Sequence, residues 1–102
     1  MPIQDAPVGS KVWFVGEKRP YRIRARNDRY LVCTKPFNLL KTVIYTVVDL
    51  QEQVRGTEDT IFCLGAETDA HCNAMLARMG AESEVSRRNR VPLNVLRISV
   101  SA

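Results

Sequence analysis

Residues 11–35 constrain the fold most, because within them apolar side chains alternate with charged ones. The clearest part is residues 21–26 (YRIRAR), where a period of two predicts a half-buried antiparallel strand. We expect its core-facing side to carry Tyr21, Ile23 and Ala25. We expect its solvent-facing side to carry three arginines: Arg22, Arg24 and Arg26. Residues 11–15 and 30–34 are rich in β-branched and aromatic side chains and predict further strands.

Downstream, residues 42–50 (TVIYTVVDL) are largely apolar at both odd and even positions, which predicts a central strand covered on both faces. Residues 51–60 are polar and predict a surface loop, followed by a short apolar segment at 61–64. Residues 68–79 predict a helix with Thr68 as its N-cap and Gly80 just beyond its end. Its buried stripe is predicted from helical spacing: Cys72, Met75, Leu76 and Met79. Residues 95–100 predict a last strand.

This order of elements predicts an α+β fold, either a twisted antiparallel β-sheet or a partly open SH3-like barrel with one α-helix packed on it. The 102 residues suit a single small domain, and residues 1–9, which contain two prolines and a glycine, predict a loosely held N-terminal lead-in. A sheet edge and a small core also make a homodimer a reasonable expectation.

Composition and cysteine content point to a cellular compartment. No apolar run approaches the roughly 20 residues that a bilayer span needs, and the N-terminus lacks the pattern of a signal peptide. The three cysteines are odd in number and form no CxxC pair, which favours a reducing compartment over a disulfide framework. We therefore expect a soluble, cytoplasmic protein.

Charge is distributed unevenly along the chain, although the net charge is only +4. Residues 1–50, 51–86 and 87–102 carry net charges of +5, −5 and +4. Such asymmetry bears on partners rather than on fold, and it favours a polyanion as the partner of the first and last segments.

Two basic clusters are the candidate binding residues. Arginines at alternate positions of a strand stand about 7 Å apart on one face, close enough to contact neighbouring phosphates. The first cluster is therefore the strand row of Arg22, Arg24 and Arg26. The second cluster combines guanidinium groups with an amide and comprises Arg87, Arg88, Asn89 and Arg90. A solvated sheet face and an ordinary charged turn would show the same patterns.

Catalytic and metal chemistry find little support. His71 and Cys72 are adjacent, so on a helix they point about 100° apart and do not readily face one metal ion. The chain has a single histidine and its glycines are isolated, so neither a nucleophile pair with a local signature nor a phosphate-binding loop is present. We expect a protein that is not an enzyme, with no catalytic residues, no metal and no cofactor.

The runs EKRPYRIRARNDRYLVCTKPFNLLKTVIYTVVDL and EVSRRNRVPLNV, with the RGTED connection between them, resemble a family of small accessory proteins encoded by bacteriophages and prophages. The likeness spans residues 9–98 and is tied to no catalytic signature. The resemblance implies a protein that acts in the cytoplasm of a bacterial host cell, for instance against a host defence system. It assigns no functional residues.

Together these observations predict a non-enzymatic binding protein whose basic surface engages nucleic acid or a phosphate-bearing nucleotide. The alternative is a protein-interaction module that inhibits or redirects a host or defence-system protein. That module would use Trp13, Phe14 and an exposed sheet edge, with the acidic residues of 51–60 supplying charge complementarity. As neighbours on a strand, one of Trp13 and Phe14 should face inward and the other outward or toward an edge.

Overall fold

The computed structural model describes residues 2–36, 42–56, 59–62, 66–79 and 91–100, in which an α-helix packs on a curled antiparallel sheet. The predicted α+β class is confirmed. A 3₁₀ helix at Ile3–Asp5 precedes the sheet. The strands are β1 (Ser10–Phe14), β2 (Tyr21–Arg26), β3 (Tyr30–Pro36), β4 (Thr42–Asp49), β5 (Val54–Arg55), β6 (Asp59–Phe62), β7 (Val91–Pro92) and β8 (Val95–Val100), and the helix α1 is Ala66–Met79.

The sheet curls until its two ends meet at one corner. Its strand order is β7-β5-β4-β3-β2-β1-β8, with β6 also paired to β4, and the paired strands are antiparallel. Although β7 and β8 lie at opposite ends of this order, only Leu93 and Asn94 separate them in the chain. The Leu93 N–H donates to the Gln53 carbonyl at 3.0 Å, and the Val15 N–H donates to the Asn94 carbonyl at 3.1 Å. The structure is thus a partly open barrel.

Two apolar clusters cover the two faces of the central strands. The inner cluster lies within the curl and comprises Ala6, Val12, Phe14, Tyr21, Ile23, Leu31, Cys33, Val48 and Leu50. The helix-side cluster joins the sheet to α1 and comprises Ala25, Tyr30, Val32, Val47, Cys72 and Met75. Because β3 contributes to both, its residues 30–34 are buried one after another.

Several elements lie where the sequence predicts them. The boundaries of β2 and β8 coincide with residues 21–26 and 95–100. As expected, β4 has neighbours on both edges. Phe14 is buried in the inner cluster, whereas Trp13 is partly exposed, so the prediction that one of them faces inward and the other does not is confirmed.

Two local predictions are wrong. Thr68 is not an N-cap, because α1 begins at Ala66 and Thr68 is buried within its first turn. Ala66 and Glu67 are good helix formers, and a glutamate suits the positive N-terminal end of a helix. Residues 51–60 are not wholly a loop, because β5 and the start of β6 lie there. Short strands of this kind have too few residues to show a periodicity.

The segment 80–90 and the side chain of Met79 lie outside the described residues, and with them the predicted C-terminal glycine of the helix. Within the described part of the chain, no helix is long and apolar enough to cross a membrane.

Candidate functional site

A β-bulge divides the predicted row of arginines. In the pairing of β2 with β3, Ile23 lies opposite Cys33 and Ala25 lies opposite Val32, so Arg24 is an extra residue with no counterpart. A bulge of this kind lets two residues of one strand oppose a single residue of the other, and it breaks the strict alternation of faces.

The bulge separates residues that alternation would place together. Ala25 belongs to the helix-side cluster, whereas Tyr21 and Ile23 belong to the inner cluster, so the prediction that all three share a face is wrong for Ala25. Beyond the bulge, the Arg26 guanidinium donates to the carbonyl of Ala6, a residue of the inner cluster, and to the carbonyl of Gln4 at 2.8 Å. Arg26 therefore ties down the N-terminal segment and is no longer beside Arg22 and Arg24.

Lys11 and Arg22 form a pair of like charges on the outer face of the sheet. The two residues are directly opposite in the pairing of β1 with β2. Like charges opposite each other across two strands repel and are destabilising unless something neutralises them. Neither Lys11 nor Arg19, within the described part of the chain, makes an ion pair or a side-chain hydrogen bond.

These cations converge on an open cleft of about 360 Å³. Its described lining contains four basic side chains and no acidic one: Lys11, Arg19, Pro20, Tyr21, Arg22, Arg24, Thr34 and Pro36. A second groove of about 390 Å³ continues along β2, shares Arg22 and Arg24 with the first, and reaches Asp69 and Asn73 on the helix. The two grooves form one track along the outer face of β2.

Arg24 is held at the border between the sheet and the helix. Its Nε donates to the Thr34 Oγ1 at 3.1 Å, and its Nη1 lies 3.4 Å from the Asp69 carboxylate. The two side chains of this ion pair are 33% and 54% exposed, so water and salt weaken it. Asp69 therefore limits the positive charge at one end of the track.

Trp13 and Arg97 extend the same face on the other side of β1. Trp13 lies two residues from Lys11 on β1 and opposite Arg97 of β8, with the guanidinium carbon 4.2 Å from the centre of a tryptophan ring. Arg97 itself is exposed. We define the basic face as these outward-facing residues and the cations of the cleft: Lys11, Trp13, Arg19, Arg22, Arg24 and Arg97.

Part of the basic face could have been predicted from the alternation of residues along single strands. Alternation along β1 places Lys11 beside Trp13, and the charged residue of β8 between two apolar ones is Arg97. The pairing of β8 with β1 could not be read from the sequence, because it joins segments from opposite ends of the chain.

Another arginine of this region serves a structural purpose. Arg29 makes two hydrogen bonds to the buried Asp49 carboxylate, at 3.1 and 2.9 Å, and Asp49 also accepts from the backbone N–H groups of Gln51 and Glu52. Burial opposes the charge of Asp49, but the hydrogen bonds from Arg29 and from the backbone outweigh it and lower the pKa of the carboxyl. The hydrogen bond with Asp49 raises the pKa of Arg29. This pair anchors the turn after β4.

A second charged cluster lies at the rim of the inner core. Glu17 accepts from the Lys35 Nζ at 3.2 Å and from the Arg55 Nη1 at 3.3 Å. The Lys35 nitrogen lies 4.5 Å from the centre of the Tyr21 ring, and the Arg55 guanidinium lies 4.0 Å from that of Phe14. The three charged side chains are only 13–18% exposed. These cations are held against aromatic rings and are not part of the basic face.

His71 and Cys72, the two residues weighed for metal or nucleophile chemistry, do not line the cleft or the groove beside it. His71 is exposed and Cys72 is buried in the helix-side cluster. Burial raises the pKa of the Cys33 thiol to about 12, which keeps it protonated and a poor nucleophile near neutral pH. Among the described residues, no group of three metal-binding side chains comes together.

The second predicted cluster, Arg87, Arg88, Asn89 and Arg90, lies outside the described residues, so its relation to the basic face is not assigned. Comparisons with protein-family models, with curated proteins and with solved structures give no match to this chain.

Proposed function

We propose that this chain is a non-enzymatic protein that binds nucleic acid, with the basic face in contact with its phosphates. The observation that carries the proposal is the opposed pair of Lys11 and Arg22 within a cleft whose described lining is basic and lacks acidic side chains. Lys35 and Arg55, by contrast, lie against the carboxylate of Glu17. In the basic face the only carboxylate described is Asp69, at its border.

An anion in the cleft would lie within reach of both Lys11 and Arg22. The two residues are directly opposite on paired strands, so the backbone positions from which both charges extend are set before the ligand arrives. Interactions that are organised in advance cost less entropy on binding. Arg19 and Arg24 flank this pair in the cleft, so a chain of phosphates suits the track better than a single phosphate.

The number of phosphate contacts predicts how strongly salt should weaken binding. If the four cations of the cleft, Lys11, Arg19, Arg22 and Arg24, each neutralise one phosphate of a single strand, the slope of log K against log salt is about −3. Raising salt from about 50 to 200 mM then weakens binding roughly 50-fold. An apolar interface would respond little to the same change.

The test is fluorescence anisotropy of labelled oligonucleotides at several salt concentrations. The variant Lys11→Gln with Arg22→Gln should bind more weakly and with a salt slope smaller by about 1.4. The matched control is Lys18→Gln, which removes a cation from the exposed turn before β2, outside the described lining of the cleft. Its slope should change little.

An unchanged affinity and slope in the double variant would contradict the proposal, as would the absence of oligonucleotide binding in the wild type. Mononucleotides serve as a further arm of the same experiment. If a mononucleotide bound as tightly as an oligonucleotide, the ligand would be a nucleotide held in the cleft rather than a nucleic-acid chain.

A protein partner is the second candidate. It is favoured by Leu96 on β8, a residue that is 63% exposed, and by the edge of β8 that faces away from β1, for which the described residues supply no paired strand. Phe14, however, cannot contribute to such an interface, because it is only 1% exposed in the inner cluster. Its burial corrects the expectation that Phe14 contacts a partner. Binding through this edge would be nearly insensitive to salt.

A further inference from the structure

We infer that the nucleic acid bound by the basic face is single-stranded, with an unpaired base stacked against the Trp13–Arg97 pair; this inference rests on the proposed function. The first observation is the position of Trp13. It is a partly exposed aromatic residue on the same strand and the same face as Lys11, about 7 Å away along β1. A base and its own phosphate can reach two such positions together.

The second observation is the geometry of the Trp13–Arg97 pair. The Arg97 guanidinium lies 4.2 Å from the centre of a Trp13 ring, and Arg97 remains exposed to solvent. Bases stack on aromatic rings and on guanidinium planes alike. In a duplex the faces of the bases are covered by their neighbours, so only an unpaired base can use this pair.

The third observation concerns the border of the track. Asp69 projects from α1 with a side chain that is 54% exposed, next to Arg24 at the edge of the basic face. The carboxylate marks one end of the track, because phosphates beyond Arg24 would meet its negative charge. Moreover, proteins that read a duplex usually insert a helix or a two-stranded ribbon into the major groove, whereas the basic face is an open sheet surface flanked by α1.

The length of the track sets the size of the ligand. From Arg19 to Arg24 the grooves follow the end of the turn and the first four residues of β2, and these five residue-to-residue steps span about 16 Å of extended chain. At about 7 Å per extended nucleotide, matching the spacing of alternate strand residues, the track holds two or three nucleotides. The stacked base lies beyond Lys11, at the β8 side.

Trp13 is the only tryptophan in the chain, so its fluorescence reports directly on stacking. The experiment titrates the full-length protein with a 12-nucleotide thymidine oligomer, the corresponding uridine oligomer and a 12-base-pair DNA duplex, and follows both tryptophan emission and anisotropy. We expect the single strands to quench Trp13 and to bind more tightly than the duplex. The deoxy and ribo arms distinguish DNA from RNA as the single strand.

Trp13→Ala should weaken single-strand binding about tenfold and leave duplex binding within about twofold, because stacking acts only on unpaired bases. Trp13→Phe keeps an aromatic ring and should retain most of the affinity, which also guards against a variant that fails to fold. Lys11→Gln is the matched control, since losing a phosphate contact weakens both ligands.

The outcomes separate the two proposals. No binding of any oligonucleotide overturns the proposed function itself. Binding of the duplex as tightly as the single strand, or single-strand binding without quenching of Trp13, overturns the single-strand inference while leaving nucleic-acid binding in place. Equal weakening of both ligands by Trp13→Ala overturns it as well.

Discussion

Glu17 is the only described carboxylate that holds the two cations at the rim of the inner core, and its removal should destabilise the fold. Glu17→Gln keeps the shape of the side chain but removes its charge. Lys35 and Arg55 then remain as cations on side chains that are only 13% and 17% exposed. Both ion pairs, at 3.2 and 3.3 Å, are lost in one substitution.

The magnitude follows from the burial of the cluster. Removing one partner of a fully buried ion pair costs about 3–5 kcal/mol, because the remaining charge is left uncompensated. The side chains here retain some contact with water, and the rings of Phe14 and Tyr21 still attract the cations, so we expect about 2–3 kcal/mol. For a domain of this size that corresponds to a fall in Tm of roughly 10–20 °C.

Urea unfolding followed by circular dichroism, together with thermal unfolding, measures the loss. The matched control is Glu52→Gln, the same substitution at an exposed side chain whose contact with Arg29 spans 3.9 Å. It should lower Tm by less than about 4 °C. Adding Lys35→Met to Glu17→Gln should restore part of the stability, since it removes a largely buried cation that has lost its ion pair with Glu17. Equal unfolding midpoints for Glu17→Gln and Glu52→Gln would refute the reasoning.

Two further predictions concern Asp49 and Asp69. Because the pKa of Asp49 is lowered in the folded state, its stabilisation is complete above the unfolded pKa of about 3.9 and is lost as pH falls through the lower folded value. Asp49→Asn should therefore be less stable than wild type at neutral pH. It should also lose less stability than wild type between about pH 4 and 2, as measured by urea unfolding across that range. Parallel stability profiles of the two proteins against pH would contradict this. Asp69→Asn should free Arg24 from its 3.4 Å ion pair and tighten oligonucleotide binding roughly two- to fivefold at low salt, measured by anisotropy. Weaker binding by Asp69→Asn would show that Asp69 positions Arg24 instead of competing with the ligand.

Much of the fold could be predicted because the main strands show a local pattern of apolar and polar residues. Residues 21–26 and 95–100 alternate strongly enough to show their boundaries, and 42–50 is apolar on both faces because β4 lies between neighbours. The short β5 could not be foreseen, since a two-residue strand exists only because the edge of β4 offers it backbone hydrogen-bonding groups.

The candidate site was only partly predictable for a related reason. Local alternation identified Arg22 and Arg24 as outward-facing, but the bulge that turns Arg26 toward the N-terminal segment depends on how β2 registers against β3. Bulges are set by pairing between strands and leave no reliable mark in a single strand's pattern.

The sequence by itself determined the class of the fold, the long strands, the helix and the excess of positive charge on β2, because these follow from local periodicity and composition. Only the tertiary structure decided which cations act together. It brought Arg97 from the end of the chain onto Trp13, set Lys11 opposite Arg22, and neutralised Lys35 with Glu17. The physical reason is that a charge acquires its neighbours through strand pairing and chain closure, which join residues far apart in sequence.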